Sequence, residues 1–250
     1  MLRFVTKNPS RLVNRGEDRS MATAVPQLNA TIHFLHIAKT AGSALRELAQ
    51  QVNAAKGSTR FRVHGHQTTL ADLREHHYVL AIRNPVSRFR SAFVSRRRQG
   101  RPLYNAPWSK FEEIVFSTFK TPNDLAVSIF EKGKRGDLAY SALSHIPHFR
   151  NQKRYTDGVP NFLITRPPLA ILRQEQLESD LHQVFSVLAE DQTVLHETLS
   201  RRIHENPYTD EDDLSEEAIT ALERWYCQDI EYVTRCHDWI ENQSQQSRHE

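Results

Sequence analysis

One pattern constrains this 250-residue chain more than any other: a short apolar run, a loop, then apolar residues at helical spacing, three times over. Residues 31–37, Thr-Ile-His-Phe-Leu-His-Ile, are β-branched and apolar enough for a buried strand. The run breaks at Ala38-Lys-Thr-Ala-Gly-Ser43, after which Leu45, Leu48, Ala49 and Val52 recur with helical period. Tyr78-Val-Leu-Ala-Ile82 is a second strand. Asn84 then suits an N-cap and Pro85 the first helical position, with Val86, Phe89 and Phe93 on the buried stripe. Leu169-Ala-Ile-Leu172 is a third strand, and Leu177, Leu181, Val184, Phe185 and Leu188 form the helix face behind it. Strands alternating with helices predict an α/β fold, three layers with a central parallel sheet flanked by helices. Residues 100–160, with five prolines and mixed helical patterns, read as helical insertions, and Ser215 starts a final long helix.

Ligands of such sheets bind beyond the carboxyl ends of the strands, so the loops there carry the chemistry. The first loop, Lys39-Thr40-Ala41-Gly42-Ser43-Ala44, leads into a helix N-terminus. Small residues let backbone N–H groups approach an anion, the helix end adds partial positive charge, and Thr40 and Ser43 carry hydroxyls. Lys39 adds a full charge, so the loop reads as a phosphate or sulfate cradle. It is not a Walker A loop, because the lysine precedes the glycine. In the second loop Arg83 lies just past its strand. Ser87 and Ser91 share a face of the following helix and suit a second phosphate. Between the loops lies His64-Gly65-His66, and an imidazole is a natural general base near neutral pH.

Composition narrows the rest. With 38% hydrophobic and 25% charged residues the chain can bury a core, which excludes global disorder. No window approaches the ~18–20 apolar residues of a membrane span. Cys227 and Cys236 lie about 13 Å apart along one predicted helix, too far for a disulfide. The thirteen histidines show no metal-binding spacing, so no metal is expected. A net charge of +3 hides strong segregation. Residues 83–101 hold seven arginines and no acid, whereas residues 205–231 hold ten acids and one base. Arg96, Arg97 and Arg98 read as a solvated helix face.

Taken together, these elements resemble one family, and the resemblance runs from about residue 31 to 235. Phe34-Leu-His-Ile-Ala-Lys-Thr-Ala-Gly-Ser43 is similar to the 5′-phosphosulfate loop of sulfotransferases that use 3′-phosphoadenosine 5′-phosphosulfate (PAPS). Arg83-Asn-Pro-Val-Ser-Arg-Phe-Arg-Ser-Ala-Phe93 resembles their 3′-phosphate motif. Order and spacing fit the Golgi-type carbohydrate branch, and Gly65-His66 is similar to the segment bearing the catalytic histidine of uronosyl 2-O-sulfotransferases. Ala38 and Ala41 depart from the usual Pro and Gly, and Asn84 from the usual Asp.

The resemblance implies a P-loop-like fold and sulfuryl transfer from PAPS to a carbohydrate hydroxyl, with 3′-phosphoadenosine 5′-phosphate (PAP) as product. His66 would be the base, with His64 or Glu75 next in line. Lys39 would stabilise the leaving oxygen. Residues 40–44 would hold the 5′-phosphate and sulfuryl oxygens, and Arg83 and Ser91 the 3′-phosphate. His64, His148, Arg150 and Gln152 are candidates to line the acceptor site. The expected organisation is a flexible leader (1–28), one domain (29–240) and a polar tail (241–250), in a soluble cytoplasmic enzyme that binds neither nucleic acid nor membrane. The competing readings are a P-loop-like small-molecule kinase and a nucleic-acid-binding module acting through the arginine cluster.

Overall fold

A computed structural model describes residues 31–54, 60–74, 76–102, 104–187, 195 and 208–246. The leader, Glu75, Leu188 and the last four residues of the tail lie outside the described residues.

Among the described residues four parallel strands form the central sheet: β1 (Thr31–Leu35), β2 (Arg60–Val63), β3 (Tyr78–Ile82) and β4 (Ala170–Arg173), in the order β2-β1-β3-β4. In the register, Ile32 faces Phe61, Leu35 faces Leu80, and Ala81 faces Leu172. Side chains alternate across the sheet, as period 2 requires. Ile32, Phe34, Phe61, Val79, Ala81 and Leu172 face one side, packed under α1 (Gly42–Ala54) and the Leu181 and Phe185 side chains of a later helix. Leu35, Leu80, Ile82 and Ile171 face the other, against Tyr155, Phe162, Tyr232 and Cys236. Both faces are therefore covered, and the α/β fold with a parallel sheet between helical layers is as the sequence predicts.

The remaining described helices follow in chain order. They are α2 (Pro85–Arg97), α3 (Lys110–Thr118), α4 (Pro122–Val127), α5 (Lys134–His145), α6 (Phe162–Thr165), α7 (Leu177–Val187), α8 (Glu216–Trp225) and α9 (Cys227–Gln246). Helices α2 to α5 and α8 enclose their own apolar cluster, centred on Phe89, Phe93, Phe116, Phe119, Phe149 and Tyr226. This is the helical insertion expected over residues 100–160.

Local chemistry sets the helix starts. Asn84 Oδ1 accepts from the N–H groups of Val86 and Ser87 at 2.9 and 3.1 Å, with Pro85 at N1. Ser109 and Glu112 form a reciprocal capping box on α3. Ser215 caps α8 as its sequence implies. The single long helix expected from Ser215 is instead two. The chain breaks at Tyr226, whose buried hydroxyl donates to the Phe149 carbonyl at 2.5 Å and so pins the junction to the helical cluster. Both cysteines lie on α9 and are unbridged, Cys227 exposed and Cys236 buried. No described helix is long and apolar enough to cross a membrane.

Candidate functional site

The chain runs from β1 outward to β2 and then returns across β1 to β3, so the topological switch point lies between β1 and β3. A parallel sheet opens a crevice beyond its carboxyl ends at such a point. The Lys39 loop follows β1 and Arg83 follows β3, so the two loops that the sequence singles out flank this crevice.

The Lys39 loop is tightly folded. Lys39 and Ala41 both have positive φ, 68° and 73°. This left-handed backbone strains any residue but glycine, asparagine or aspartate, by about 1–2 kcal/mol. Ala41 accepts the first helical bond, from the Leu45 N–H at 3.1 Å, so the N–H groups of residues 42–44 are the first turn of α1. Thr40, expected to offer its hydroxyl to the anion, is buried and donates instead to the Ile37 carbonyl at 2.9 Å. Its hydroxyl shapes the loop. Ser43 is exposed and Ala44 partly so, at the mouth. Burial, with repulsion from Arg83 and Arg98, pushes the Lys39 ammonium down to about 8.

Arg83 joins the loops. Its Nη1 donates to the Lys39 carbonyl at 3.3 Å and its Nε to Ser87 Oγ at 2.9 Å. Ser87 is therefore the hydroxyl set beside Arg83, while Ser91, one turn on, is 1% exposed within the packed face of α2. Gln152 is fully buried and holds both backbone groups of Arg83: Nε2 donates to its carbonyl at 2.7 Å, and Oε1 accepts its N–H at 3.3 Å. It thus orients Arg83 rather than lining an open acceptor site. Glu175, just past β4, accepts from the Asn84 N–H at 2.9 Å and lies 3.4 Å from Ser87 Oγ, placing one carboxylate on the rim.

The histidines divide into two groups. His66 packs on His36 with ring centroids 4.1 Å apart and meets His148 edge-on at 5.9 Å. His36 in turn lies against the loop: a Cβ on Gly42 would fall 1.5 Å from its Nε2, so glycine is required there by close approach. Burial first, then cationic neighbours, lowers His36 and His148 to about 3. Desolvation also lowers His66, helped by Arg46 and Lys39 and opposed by a hydrogen bond to the His36 backbone. All three rings are neutral at pH 7, the state in which an imidazole accepts a proton. His64 belongs elsewhere. Its Nε2 lies 2.8 Å from His33 Nδ1, and His33 stacks on His76 at 4.4 Å.

Arg88 supports the crevice from below. Its side chain is 1% exposed and donates to the carbonyls of Ala38, His148 and Arg150, with Asp229 Oδ2 at 3.6 Å. Asp229, fully buried on α9, also accepts the N–H groups of Gln152 and Lys153 at 2.7 and 3.0 Å. One carboxylate thus ties α9 to the segment that holds Arg83 and to the arginine that holds the loop. Arg150 turns its guanidinium to the Ser144 and His145 carbonyls at the end of α5, a favourable place for a cation.

The arginine cluster is not a solvated face. Arg96 is buried and pairs with Glu112 at 2.7 Å, while Arg97 pairs with Asp212 at 2.7 Å and Arg90 with Asp213 at 2.6 Å. The acidic segment of the sequence supplies three of these partners, Asp212, Asp213 and Asp229, so the segregated charges meet in the fold. Sequence reasoning missed His36, Arg88 and Glu175 as parts of the site. The signals were slight: His36 is two residues before the loop, and Arg88 looked like one arginine among seven.

Fold and site define an α/β protein with a nucleotide-binding-like architecture and a cationic crevice at its switch point. No protein-family model matches the chain, and no curated protein matches it.

Proposed function

We propose that this chain is a sulfotransferase that moves a sulfuryl group from PAPS to an acceptor hydroxyl on a carbohydrate. One observation carries the reading: the contact of Arg83 with the Lys39 carbonyl brings the two phosphate-type motifs together at the switch point. PAPS carries phosphate at two separate positions, and the crevice offers two cationic stations with helix N-termini behind them. The carbohydrate part of the proposal rests on the likeness of the Gly65-His66 segment to uronosyl 2-O-sulfotransferases.

In this reading His66 takes the proton of the acceptor hydroxyl as its oxygen forms a bond to sulfur. The bond from sulfur to the 5′-phosphate oxygen breaks in line, and that oxygen keeps the electron pair. Lys39 stabilises the charge developing there, the N–H groups of residues 42–44 hold the 5′-phosphate and sulfuryl oxygens, and Arg83 with Ser87 holds the 3′-phosphate. Fixed positive groups and positioning supply the rate enhancement. Neutral His36 and His148 beside His66 add no charge that would repel its imidazolium.

The test is turnover of labelled PAPS over a panel of hydroxylated acceptors, with His66→Ala beside the parent chain. Loss of a general base lowers the rate about 10²–10⁴-fold. Full activity in His66→Ala would remove it from the mechanism.

Glu175 supports a second reading. A carboxylate just past a strand end, beside a phosphate loop, is what a magnesium-dependent kinase uses. Phosphoryl transfer from ATP with magnesium, lost in Glu175→Gln, would establish that reading in place of the first. The nucleic-acid reading has weaker support, because Arg88, Arg90, Arg96 and Arg97 already have acidic partners within the chain.

A further inference from the structure

Strand β2 is a four-residue strand that, among the described residues, lies at the sheet edge and is bonded to β1 alone. Beyond Val63 the chain leaves the sheet. Its last ladder-type bond runs from the His64 N–H to the Phe34 carbonyl at 3.1 Å. Gly65 follows with open space around it, then exposed His66. A turn from Thr68 N–H to the Gly65 carbonyl leads to Leu70, where the chain is buried again and its N–H donates to the Tyr155 carbonyl at 2.7 Å. Between those anchors two side chains hold the segment: His64 at its start, through its 2.8 Å contact with His33 Nδ1, and His66 itself, packed on the His36 ring.

We propose that His33 and His64 act as a positioning pair that fixes the segment carrying His66 and releases it in acid. A bond between two ring nitrogens needs one donor and one acceptor, so it forms only while at least one of the two rings is neutral. His33 is 6% exposed, sandwiched between His64 and His76 with ring centroids at 5.0 and 4.4 Å. The charged or titratable groups that face the pair among the described residues are His76, before β3, and Arg62, in β2. All are bases. Burial first, then these neighbours, lowers His33 to about 4, and the same causes lower His64. Near neutral pH the pair is uncharged and intact. When both rings take a proton, two N–H groups face each other, two charges join Arg62, and the clamp opens. The pairing stands on its own geometry, whereas its consequence for catalysis rests on the sulfotransferase reading of His66.

The experiment is hydrogen–deuterium exchange of the full chain, rates corrected for the intrinsic effect of pH, comparing residues 60–68 with β3. His33→Phe keeps an aromatic ring to stack on His76 but cannot bond His64. The expected result at pH 7.5 is about fivefold faster exchange over residues 60–68, the factor an ordinary net hydrogen bond represents, with β3 unchanged. In the parent chain, residues 60–68 should lose protection before β3 as the pH falls from 7.5 through 4 to 3.5, and His33→Phe should show no such step. If His33→Phe fails to fold, His64→Gln, at a half-buried position, is read in its place. Unchanged exchange over residues 60–68 in a folded variant, or loss of protection by both segments together in acid, would overturn the proposal. PAP titration of the same variant keeps the two ideas apart. Normal PAP affinity with a lower kcat fits a positioning role, while absence of PAP binding in the parent chain would refute the sulfotransferase reading and leave the exchange result standing.

Discussion

Replacing Asp229 by asparagine removes one charge from a place where water cannot compensate. Asp229 is 0% and Arg88 1% exposed, 3.6 Å apart. Burial raises the Asp229 carboxyl despite Arg88 and two N–H donors, which shows how large the desolvation penalty is. In Asp229→Asn the amide has one oxygen for the two N–H groups of Gln152 and Lys153, so its NH₂ faces a donor. Arg88 is left as a buried, unpaired cation. Breaking one side of a buried pair costs about 3–5 kcal/mol. For a chain of this size each kcal/mol lowers Tm by about 2–4 °C, so the expected fall is roughly 6–20 °C. Differential scanning calorimetry of parent and variant reads it directly. The double variant Arg88→Met/Asp229→Leu should recover only part of the loss, because Arg88 also satisfies the carbonyls of Ala38, His148 and Arg150. A Tm within 2 °C of the parent for Asp229→Asn would refute the reasoning, since the pair would then contribute no more than an exposed one.

Four further outcomes follow from the same geometry. Ala41→Gly relieves a φ of 73° and should raise stability by about 1 kcal/mol in urea unfolding, with no new contact. Gly42→Ala drives a methyl group into the His36 ring and should abolish anion binding in titration with PAP, whereas His36→Ala/Gly42→Ala should restore part of it. His33, His36 and His148 have folded-state values near 4, 3 and 3, below the usual 6.5, so the unfolded chain binds more protons below pH 6.5. Stability should therefore fall as the pH drops from 6.5 towards 4, by up to about 1.4 kcal/mol per pH unit for each group, measured by urea unfolding at successive pH values. Lys39 loses its charge as pH rises through about 8, so anion affinity should weaken between pH 7 and 9 in the parent chain and not in Lys39→Arg.

The three strand–loop–helix units were legible because apolar period and capping act locally: Asn84, Pro85 and Ser215 mark their helix starts at the observed places. Strand β2 was not recognised, although Arg60-Phe-Arg-Val63 alternates as an edge strand does. Four residues give too short a pattern to separate from a loop. The site was legible to the level of its motifs, because a lysine and an arginine after strand ends must meet if the strands are neighbours. What those residues touch was not legible. The turn of Thr40 back to Ile37 depends on two positive φ angles. The burial of Gln152 depends on Asp229, 77 positions away. Arg97, read as solvated with Arg96 and Arg98, has its partner Asp212 more than a hundred residues further on, and Asp213 and Asp229 reach Arg90 and Arg88 in the same way through the packing of α8 and α9 against α2.

In the proposed function the crevice between β1 and β3 recognises a nucleotide phosphorylated at both the 5′ and 3′ positions. Calorimetric titration with PAP, beside AMP, ADP and ATP with magnesium, tests it most directly. Saturable binding of PAP alone, lost in Arg83→Ala, is the expected result. No binding of PAP, or a preference for magnesium ATP, would contradict it.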